Sequence, residues 1–145
     1  MKTKSKLLLL ILGLICIDFF TKIVFQHKNV TLIPHLFYLK YSENPGLIFG
    51  FFSYNMFFNY MLPLLVLIFL GIYFYKNKNP QEQLALSFLI AGIFGNLFSR
   101  AMHGYVIDWA YIPIYPPLNM ANFNLADTFI ITGVIFIILL SFKKK

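Results

Sequence analysis

The sequence predicts a single-domain, mostly α-helical polytopic membrane protein with four transmembrane helices and a small extracytoplasmic β segment. The first observation behind this prediction is composition, because 59% of the 145 residues are hydrophobic and only 12% are charged. In soluble domains roughly a quarter of all residues are charged. A soluble globule of this length also could not bury so much apolar surface. The second observation is a set of four apolar stretches of about 20 residues, the length that crosses a bilayer as a helix.

The four predicted spans differ in polarity. Spans one and four are the most uniformly apolar, and span two contains Pro63, which a helix bundle in a membrane can accommodate. Span three carries the most polar side chains, which indicates that one of its faces turns toward the protein rather than toward lipid. The predicted spans are residues 7–25, 56–75, 84–102 and 125–142, and the predicted outer loops are residues 26–55 and 103–124.

The basic residues predict the orientation of the chain. Most of the 12 Lys and Arg residues lie before span one, between spans two and three, or after span four. Because cytoplasmic loops carry an excess of Lys and Arg, we expect both termini in the cytoplasm and the two longer loops outside. The topology accounts for the formal charge of +7, so no nucleic-acid partner is predicted.

The two outer loops differ in composition. The first contains VTLIPHLFYLKYS, in which β-branched and aromatic residues bounded by Pro and Gly are typical of short strands. It predicts a small sheet at the membrane surface. The second loop is rich in aromatic residues and prolines, and it predicts an irregular segment packed on the outer interface, where Tyr and Trp are favoured.

Two acidic residues, Asp108 and Asp127, are predicted to lie at the same outer boundary, one shortly after span three and one in the first turn of span four. Ionisable side chains at membrane depth are costly and usually functional. Two carboxyl groups held close together cannot both be ionised, so one keeps a proton while the other can activate water. The pair is therefore a candidate catalytic dyad for hydrolysis.

Further polar residues from separate segments are predicted to converge on this side of the bilayer. Asn96 and Arg100 are four residues apart on span three, and Asp18 and Lys22 are four apart on span one, so each pair shares a helix face. Asn124 is placed to cap span four. The candidate supporting or substrate-binding residues are Asp18, Asn44, Gly46, Asn96, Ser99, Arg100 and Asn124.

Two alternatives explain these residues without hydrolysis. Asp108 could bind Arg100 while Asp127 only caps span four. A small transporter or channel subunit could use membrane acids for ion passage, although spans two and four lack a polar stripe toward the cytoplasmic side. The histidines are scattered along the chain, so no metal site is predicted.

Together, these residues resemble the signal peptidase II family, the bacterial lipoprotein signal peptidases. The family is marked by D-x-x-T-K in span one, N-x-G-x-x-F in the first outer loop, G-N-x-x-D-R followed by G-x-V-x-D, and F-N-x-A-D at the start of the last span. The matching segments here are residues 18–22, 44–49, 95–100, 104–108 and 123–127. The matches run in order along almost the whole chain, so together they are far more specific than any one motif.

The resemblance implies an aspartic endopeptidase of the bacterial inner membrane with its active site at the extracytoplasmic face. Family members cut prolipoprotein signal peptides on the amino side of a cysteine that bears diacylglycerol. The resemblance implies Asp108 and Asp127 as the catalytic residues and the other polar residues named above as their support. It implies no cofactor, and its implied partners are lipid-modified prolipoproteins and membrane lipid. We expect the protein to be a monomer.

Two departures from the family pattern leave an alternative open. Ser99 stands where the family has an aspartate, and serine can form hydrogen bonds but carries no charge, so the pKa of Asp108 is expected to differ from the family norm. Leu47 and Ile48 replace small residues in the first-loop motif and are expected to narrow the groove beneath it. The alternative is a divergent, inactive homologue that binds lipidated precursors without cleaving them.

Overall fold

The computed structural model describes residues 2–46, 52–113 and 121–143. In these ranges helices α1 to α4 span Lys2–Phe25, Leu62–Lys76, Pro80–His103 and Leu125–Lys143, and strands β1 to β4 span Asn29–Ile33, Phe37–Asn44, Val106–Ile112 and Ala121–Phe123. A π-helical turn, Phe57–Met61, leads directly into α2. With this turn added to α2, all four helices are long and apolar enough to cross a membrane. The prediction of four helical spans and a small sheet is confirmed.

The ends of α3 are set by capping residues rather than by hydrophobicity. The side chain of Asn79 accepts a hydrogen bond of 3.0 Å from the backbone N–H of Gln81, and Pro80 occupies the first turn, where its missing N–H costs nothing. The helix ends at Gly104, whose φ of 82° is a left-handed conformation that glycine adopts without strain. The helix therefore begins four residues before the predicted span, which had followed the apolar run alone.

Helix α3 lies at the centre of the bundle. Leu86 and Leu89 of α3 form a buried apolar cluster with Phe74 of α2, and partly buried side chains from α1 and α4 pack against that cluster. The other three helices leave large apolar side chains uncovered, such as Leu9 at 69% exposure and Phe69 at 67%. Uncovered apolar surface on this scale is rare on soluble monomers and is the surface that lipid covers. The protein is a multi-pass membrane protein.

Glycines allow α3 and α4 to approach closely. A Cβ atom added to Gly92 would lie 2.4 Å from the carbonyl oxygen of Ala126, and one added to Gly133 would lie 2.8 Å from the carbonyl oxygen of Ala85. Small residues at helix interfaces in membranes permit this kind of backbone approach. The α3–α4 interface therefore depends on side chains no larger than hydrogen at these two positions.

We expect Gly133→Ala to lower the free energy of unfolding by roughly 1–3 kcal/mol, the usual cost of overpacking. The new methyl group would press against helix backbone, which cannot move aside as a flexible side chain would. The matched control is Gly71→Ala on α2, where nothing lies within 4 Å of an added Cβ; better helix propensity should stabilise that variant by up to about 1 kcal/mol. Denaturant titration in detergent micelles measures both, and equal stabilities would contradict the packing argument.

The four strands form one antiparallel sheet in the order β1-β2-β3-β4. It joins the two outer loops, because β1 and β2 come from the first and β3 and β4 from the second. The register pairs Ser42 with Asp108 and Asn44 with Val106. This register carries Asn44, at the end of β2, to the strand that holds Asp108.

The expectation of an irregular second outer loop is wrong for Val106–Ile112, which forms β3. Its prolines begin only at Pro113, after the strand has ended, so they do not interrupt the hydrogen-bond ladder. The first five residues of β3 are all buried. A strand buried on both faces lacks the alternating pattern that marks a half-exposed strand, and for that reason the sequence did not reveal it. Residues 114–120 of the same predicted loop lie outside the described residues.

Candidate active site

Asp108 is the third residue of β3 and is 2% exposed. Its two carboxylate oxygens accept hydrogen bonds from two asparagine side chains. Asn124 Nδ2 donates to Oδ1 at 2.7 Å, and Asn44 Nδ2 donates to Oδ2 at 3.3 Å. The buried carboxyl group is therefore held in a fixed orientation from both sides by neutral donors.

Asp127 lies in the first turn of α4 and forms a reciprocal cap with Asn124. The backbone N–H of Asn124 donates to Asp127 Oδ2 at 3.1 Å, and the backbone N–H of Asp127 donates to Asn124 Oδ1 at 3.1 Å. This is a capping box, and it confirms the prediction that Asn124 caps the last span. The second carboxylate oxygen of Asp127 accepts a 2.7 Å hydrogen bond from Asn96 Nδ2, so the side chain does more than cap the helix.

Asn124 connects the two aspartates. It is fully buried, its side-chain amide donates to Asp108, and its backbone N–H donates to Asp127. The same amide also donates to Asn96 Oδ1 at 3.1 Å. One residue thereby fixes the relative position of two carboxyl groups from distant parts of the sequence.

Both aspartates line one cavity of about 500 Å³. Its polar end also includes Asn44, Asn96, Arg100 and Asn122, whereas the rest of its wall is apolar and comes largely from the helices. The apolar wall is formed by Phe58, Leu62, Pro63, Val66, Ile93, Val106, Phe123, Ile130 and Ile131. The arrangement places two carboxyl groups in a cavity whose largely apolar lining suits apolar side chains.

Arg100 contacts the first outer loop rather than an aspartate. Its Nη2 donates to the carbonyl oxygen of Gly46, and Tyr60 donates to the Arg100 carbonyl oxygen at 3.1 Å. Among the described residues the ion pair within 4.0 Å is Lys22 with Asp18, so the alternative in which Asp108 binds Arg100 is not seen there. The Nε of Arg100 is buried and has no partner among those residues.

The predicted ion pair of Asp18 and Lys22 supports the site from α1. Lys22 Nζ lies 2.7 Å from Asp18 Oδ2 and donates to Asn96 Oδ1 at 3.1 Å. The other oxygen of Asp18 accepts a 2.9 Å hydrogen bond from the backbone N–H of Ala126. The pair thereby links α1 to Asn96 and to the first turn of α4, one residue before Asp127.

Ser99 lies away from the cavity that contains the two aspartates. Its hydroxyl group donates to the carbonyl oxygen of Tyr105 at 3.1 Å and accepts from the backbone N–H of Ile107 at 3.3 Å. It lines a smaller cavity between α1 and α3 together with Asp18 and Lys22. Ser99 thus fixes the turn from α3 into β3, directly before Asp108.

The first-loop motif is described only in part. Asn44 Oδ1 accepts a 3.1 Å hydrogen bond from the backbone N–H of Gly46, which closes a local turn of the Asx type. Gly46 in turn binds Arg100 through its carbonyl oxygen. Leu47 and Ile48, which we expect to narrow the groove, lie outside the described residues.

The surroundings of Asp108 favour its protonated form. Burial raises the pKa of the Asp108 carboxyl group to about 7, and the charge of Asp127 adds to the increase. The hydrogen bonds from Asn124 and Asn44 and the charge of Lys22 oppose it. Near neutral pH, Asp108 can therefore hold a proton at the edge of a cavity that it shares with a second acid.

Sequence reasoning missed two parts of the site. Asn122 lines the cavity, but it lies two residues before the F-N-x-A-D capping position and had no pattern to mark it. Lys22 was identified only as a partner of Asp18, although it also binds Asn96. The contact between α1 and α3 depends on their packing, which helical spacing does not show.

Comparison with known proteins identifies the family. The family model for signal peptidase (SPase) II matches residues 10–143. The lipoprotein signal peptidase of Gloeothece citriformis (strain PCC 7424) is 40% identical over 117 residues, covering 79% of this chain and 71% of the relative. That of Wigglesworthia glossinidia brevipalpis is 36% identical over 153 residues, covering 99% and 96%.

Solved structures agree with this result. A bacterial membrane enzyme determined by the in meso method at 1.9 Å resolution superposes with a TM-score of 0.85 at 28% identity, covering 97% of this chain and 95% of the other. A second such structure, at 2.3 Å resolution, gives a TM-score of 0.86 over 96% and 88%. With its four membrane-capable helices and its family match over nearly the whole sequence, the chain belongs to the signal peptidase II family.

Proposed function

We propose that this lipoprotein signal peptidase cleaves diacylglyceryl-modified prolipoproteins on the amino side of the lipidated cysteine, with Asp108 and Asp127 as its catalytic acids. One observation carries the proposal: both carboxyl groups line a single cavity whose remaining wall is mostly apolar. Each is also oriented by asparagine side chains. This arrangement suits general acid–base hydrolysis of a peptide that stays within the membrane.

The two acids take different roles in the proposed mechanism. Asp108 holds the shared proton, because burial raises its pKa to about 7. Asp127 is the ionised partner, because it lies at the positive end of α4 and accepts hydrogen bonds from Asn96 and from the Asn124 backbone. Asp127 removes a proton from water as the water oxygen attacks the scissile carbonyl carbon, and Asp108 protonates the carbonyl oxygen. The proton then passes from Asp127 to the leaving nitrogen as the C–N bond breaks, and Asp108 recovers its own.

The substrate approaches through the membrane. The apolar wall of the cavity joins residues of α2, such as Leu62 and Val66, to Ile130 and Ile131 of α4. A precursor whose signal helix lies along this wall presents its scissile bond at the polar end, while the acyl chains on its cysteine stay in lipid. Arg100 Nε and Asn122 Oδ1 are buried polar atoms without partners among the described residues, and they suit the peptide backbone of the substrate.

The charges of the chain support an orientation with both termini in the cytoplasm. Lys76 is the last residue of α2 and Lys78 follows it, at the end of the bundle opposite the sheet, and further lysines lie at both termini. Because cytoplasmic segments carry an excess of basic residues, these lysines support a location of the aspartates at the extracytoplasmic face of the bacterial inner membrane.

The inactive-homologue alternative has no support from the comparisons, which identify lipoprotein signal peptidases. Ser99 is the residue that motivated it. In this chain the Ser99 hydroxyl group fixes the backbone before Asp108, which needs hydrogen bonding and no charge.

The experiment that tests the proposed substrate uses two forms of one precursor. Purified protein in lipid nanodiscs is incubated with a prolipoprotein that carries diacylglycerol on its cysteine and with the same precursor left unmodified. We expect cleavage of the modified form at the bond before the cysteine, identified by mass spectrometry, and little cleavage of the other. Equal cleavage of both would reject the lipid requirement, and cleavage of neither would reject the function.

The pH dependence of cleavage follows from the single shared proton. We expect kcat/KM for the lipidated precursor to fall at alkaline pH with an apparent pKa near the value of about 7 for Asp108, because its proton is then lost; that value belongs to the coupled pair. The folded state also binds this proton more tightly than the unfolded chain. The bound proton on Asp108 therefore adds to the free energy of unfolding. The added stability is complete below the ordinary pKa of 3.8 and is lost as the pH rises through about 7. A profile that stayed flat well into the alkaline range would contradict the assignment of the proton.

A further inference from the structure

Asn59 has a buried side-chain amide just before α2 that neither the motifs nor the mechanism uses. It lies in the π-helical turn Phe57–Met61 and is 2% exposed. Its Nδ2 donates to the carbonyl oxygen of Pro45 at 3.2 Å and to that of Phe52 at 2.9 Å. Asn59 thereby holds two points of the first outer loop that lie on either side of residues 47–51.

The helix is wider than usual where Asn59 lies, and Pro63 gives a physical reason. Proline has no N–H, and its ring crowds the carbonyl oxygen four residues earlier, which here belongs to Asn59. A π-helical turn relieves this crowding, and the backbone N–H of Leu62 accordingly donates to the carbonyl oxygen of Phe57, five residues back. Such widened turns often occur at functional sites. In this chain the widened turn directs the Asn59 amide at the loop.

Asn59 binds a residue that lies between two active-site residues, because Asn44 and Gly46 are the sequence neighbours of Pro45. On one side of Pro45, Asn44 donates to the Asp108 carboxylate. On the other, Gly46 accepts from Arg100. The Pro45 carbonyl oxygen also accepts from the backbone N–H of Tyr54 at 3.1 Å, so the peptide is held from two directions.

We propose that Asn59 is a positioning residue for the reaction: by holding the Pro45 carbonyl group, it keeps Asn44 within hydrogen-bond distance of Asp108. The inference rests on the proposed function of Asp108. Only the donor half of the amide is needed, since Asn59 Oδ1 is buried without a partner among the described residues. Asn59 touches neither carboxyl group and acts only through the loop.

The pH profile distinguishes positioning from general support of the fold. The Asn44 hydrogen bond lowers the pKa of Asp108, so a misplaced Asn44 moves the alkaline fall of the kcat/KM profile, its alkaline limb, to higher pH. The charged groups that also act on this site are Asp127 on α4, Lys22 on α1 and Arg100 on α3, and none of them contacts Asn59. A variant that is merely less stable would lose active protein without moving the limb.

The experiment compares Asn59→Leu and Asn59→Ser with the wild-type protein in nanodiscs. Neither side chain can donate to both carbonyl oxygens. We expect kcat for the lipidated precursor to fall on the order of 10- to 100-fold, as small misplacements in active sites do, with KM changed much less because the apolar wall is intact. We expect the alkaline limb to move to higher pH, and Asn59→Gln to recover part of kcat.

Matched controls separate the possible outcomes. Asn55→Ala removes a cap of the same turn, where Asn55 Oδ1 accepts from the Phe58 backbone N–H, but leaves the loop contacts in place, so its limb should not move. In an Asn44→Ala background, Asn59→Leu should move the limb no further. One outcome rejects this inference alone. It is a folded Asn59 variant that has the kcat of the wild-type protein and loses activity at the same alkaline pH, while Asp108→Asn is inactive. If Asp108→Asn still cleaves, the dyad assignment is wrong and the inference is lost with it.

Discussion

Asp108→Asn and Asp127→Asn should each reduce cleavage of a lipidated precursor by at least about 10⁴-fold, the scale seen when one member of a catalytic unit is removed. In the proposed mechanism Asp108 gives a proton to the carbonyl oxygen and Asp127 removes one from water, and an amide can do neither. The exchange is nearly isosteric and leaves the apolar wall of the cavity unchanged, so binding of the precursor should be preserved. Initial rates with a fluorescent lipidated peptide measure the loss.

Glu43→Gln is the control for this pair. Glu43 is a carboxylate on β2 of the same sheet, it is exposed, and it accepts a 2.8 Å hydrogen bond from Tyr41 without lining the cavity. Its replacement should leave the rate unchanged. Circular dichroism should show native helix content in all three variants. Turnover above one hundredth of the wild-type rate in either aspartate variant would reject the dyad.

Lys22→Met is expected to be the most destabilising single change that leaves both aspartates in place. It leaves the Asp18 carboxylate, which is 1% exposed, buried without a cationic partner. Removing one member of a buried ion pair costs about 3–5 kcal/mol. It also removes a donor to Asn96, which orients Asp127, so activity should fall as well. Titration with a denaturing detergent in mixed micelles gives the change in the free energy of unfolding.

Two further variants test the origin of this loss. Lys28→Met replaces an exposed lysine just beyond α1 and should change stability by less than about 0.5 kcal/mol. Adding Asp18→Asn to Lys22→Met should recover much of the stability, because a neutral amide can still accept from the Ala126 backbone N–H and no unpaired charge remains. A double variant as unstable as Lys22→Met would show that lost packing, not the stranded charge, causes the effect.

The spans and the meeting of the aspartates could be predicted because each depends on a local signal. Apolar runs of membrane length predict helices, and a carboxylate three residues after Asn124 predicts a cap. The proximity of Asp108 and Asp127 could be predicted because both follow or begin a span at the outer boundary of the membrane. By contrast, β3 is recognised as a strand only through its pairing with β2, since its buried residues follow no alternation.

The parts that sequence reasoning did not find depend on packing between elements. The link from Lys22 to Asn96 requires that α1 and α3 touch, and the role of Ser99 requires the turn into β3. Asn59 did carry a signal, because an asparagine in an otherwise apolar span is unusual. Its target, the Pro45 carbonyl group, could not be predicted without the path of the loop.

The capping box of α4 has a consequence for how the enzyme responds to heat. Asp127, in the first turn of this helix, is the residue that removes a proton from water in the proposed mechanism, and its capping partner Asn124 orients Asp108. The ends of helices fray more readily than their interiors. Loosening a single turn would misalign both acids at once while all four spans stay embedded, so thermal inactivation can precede melting of the bundle by many degrees.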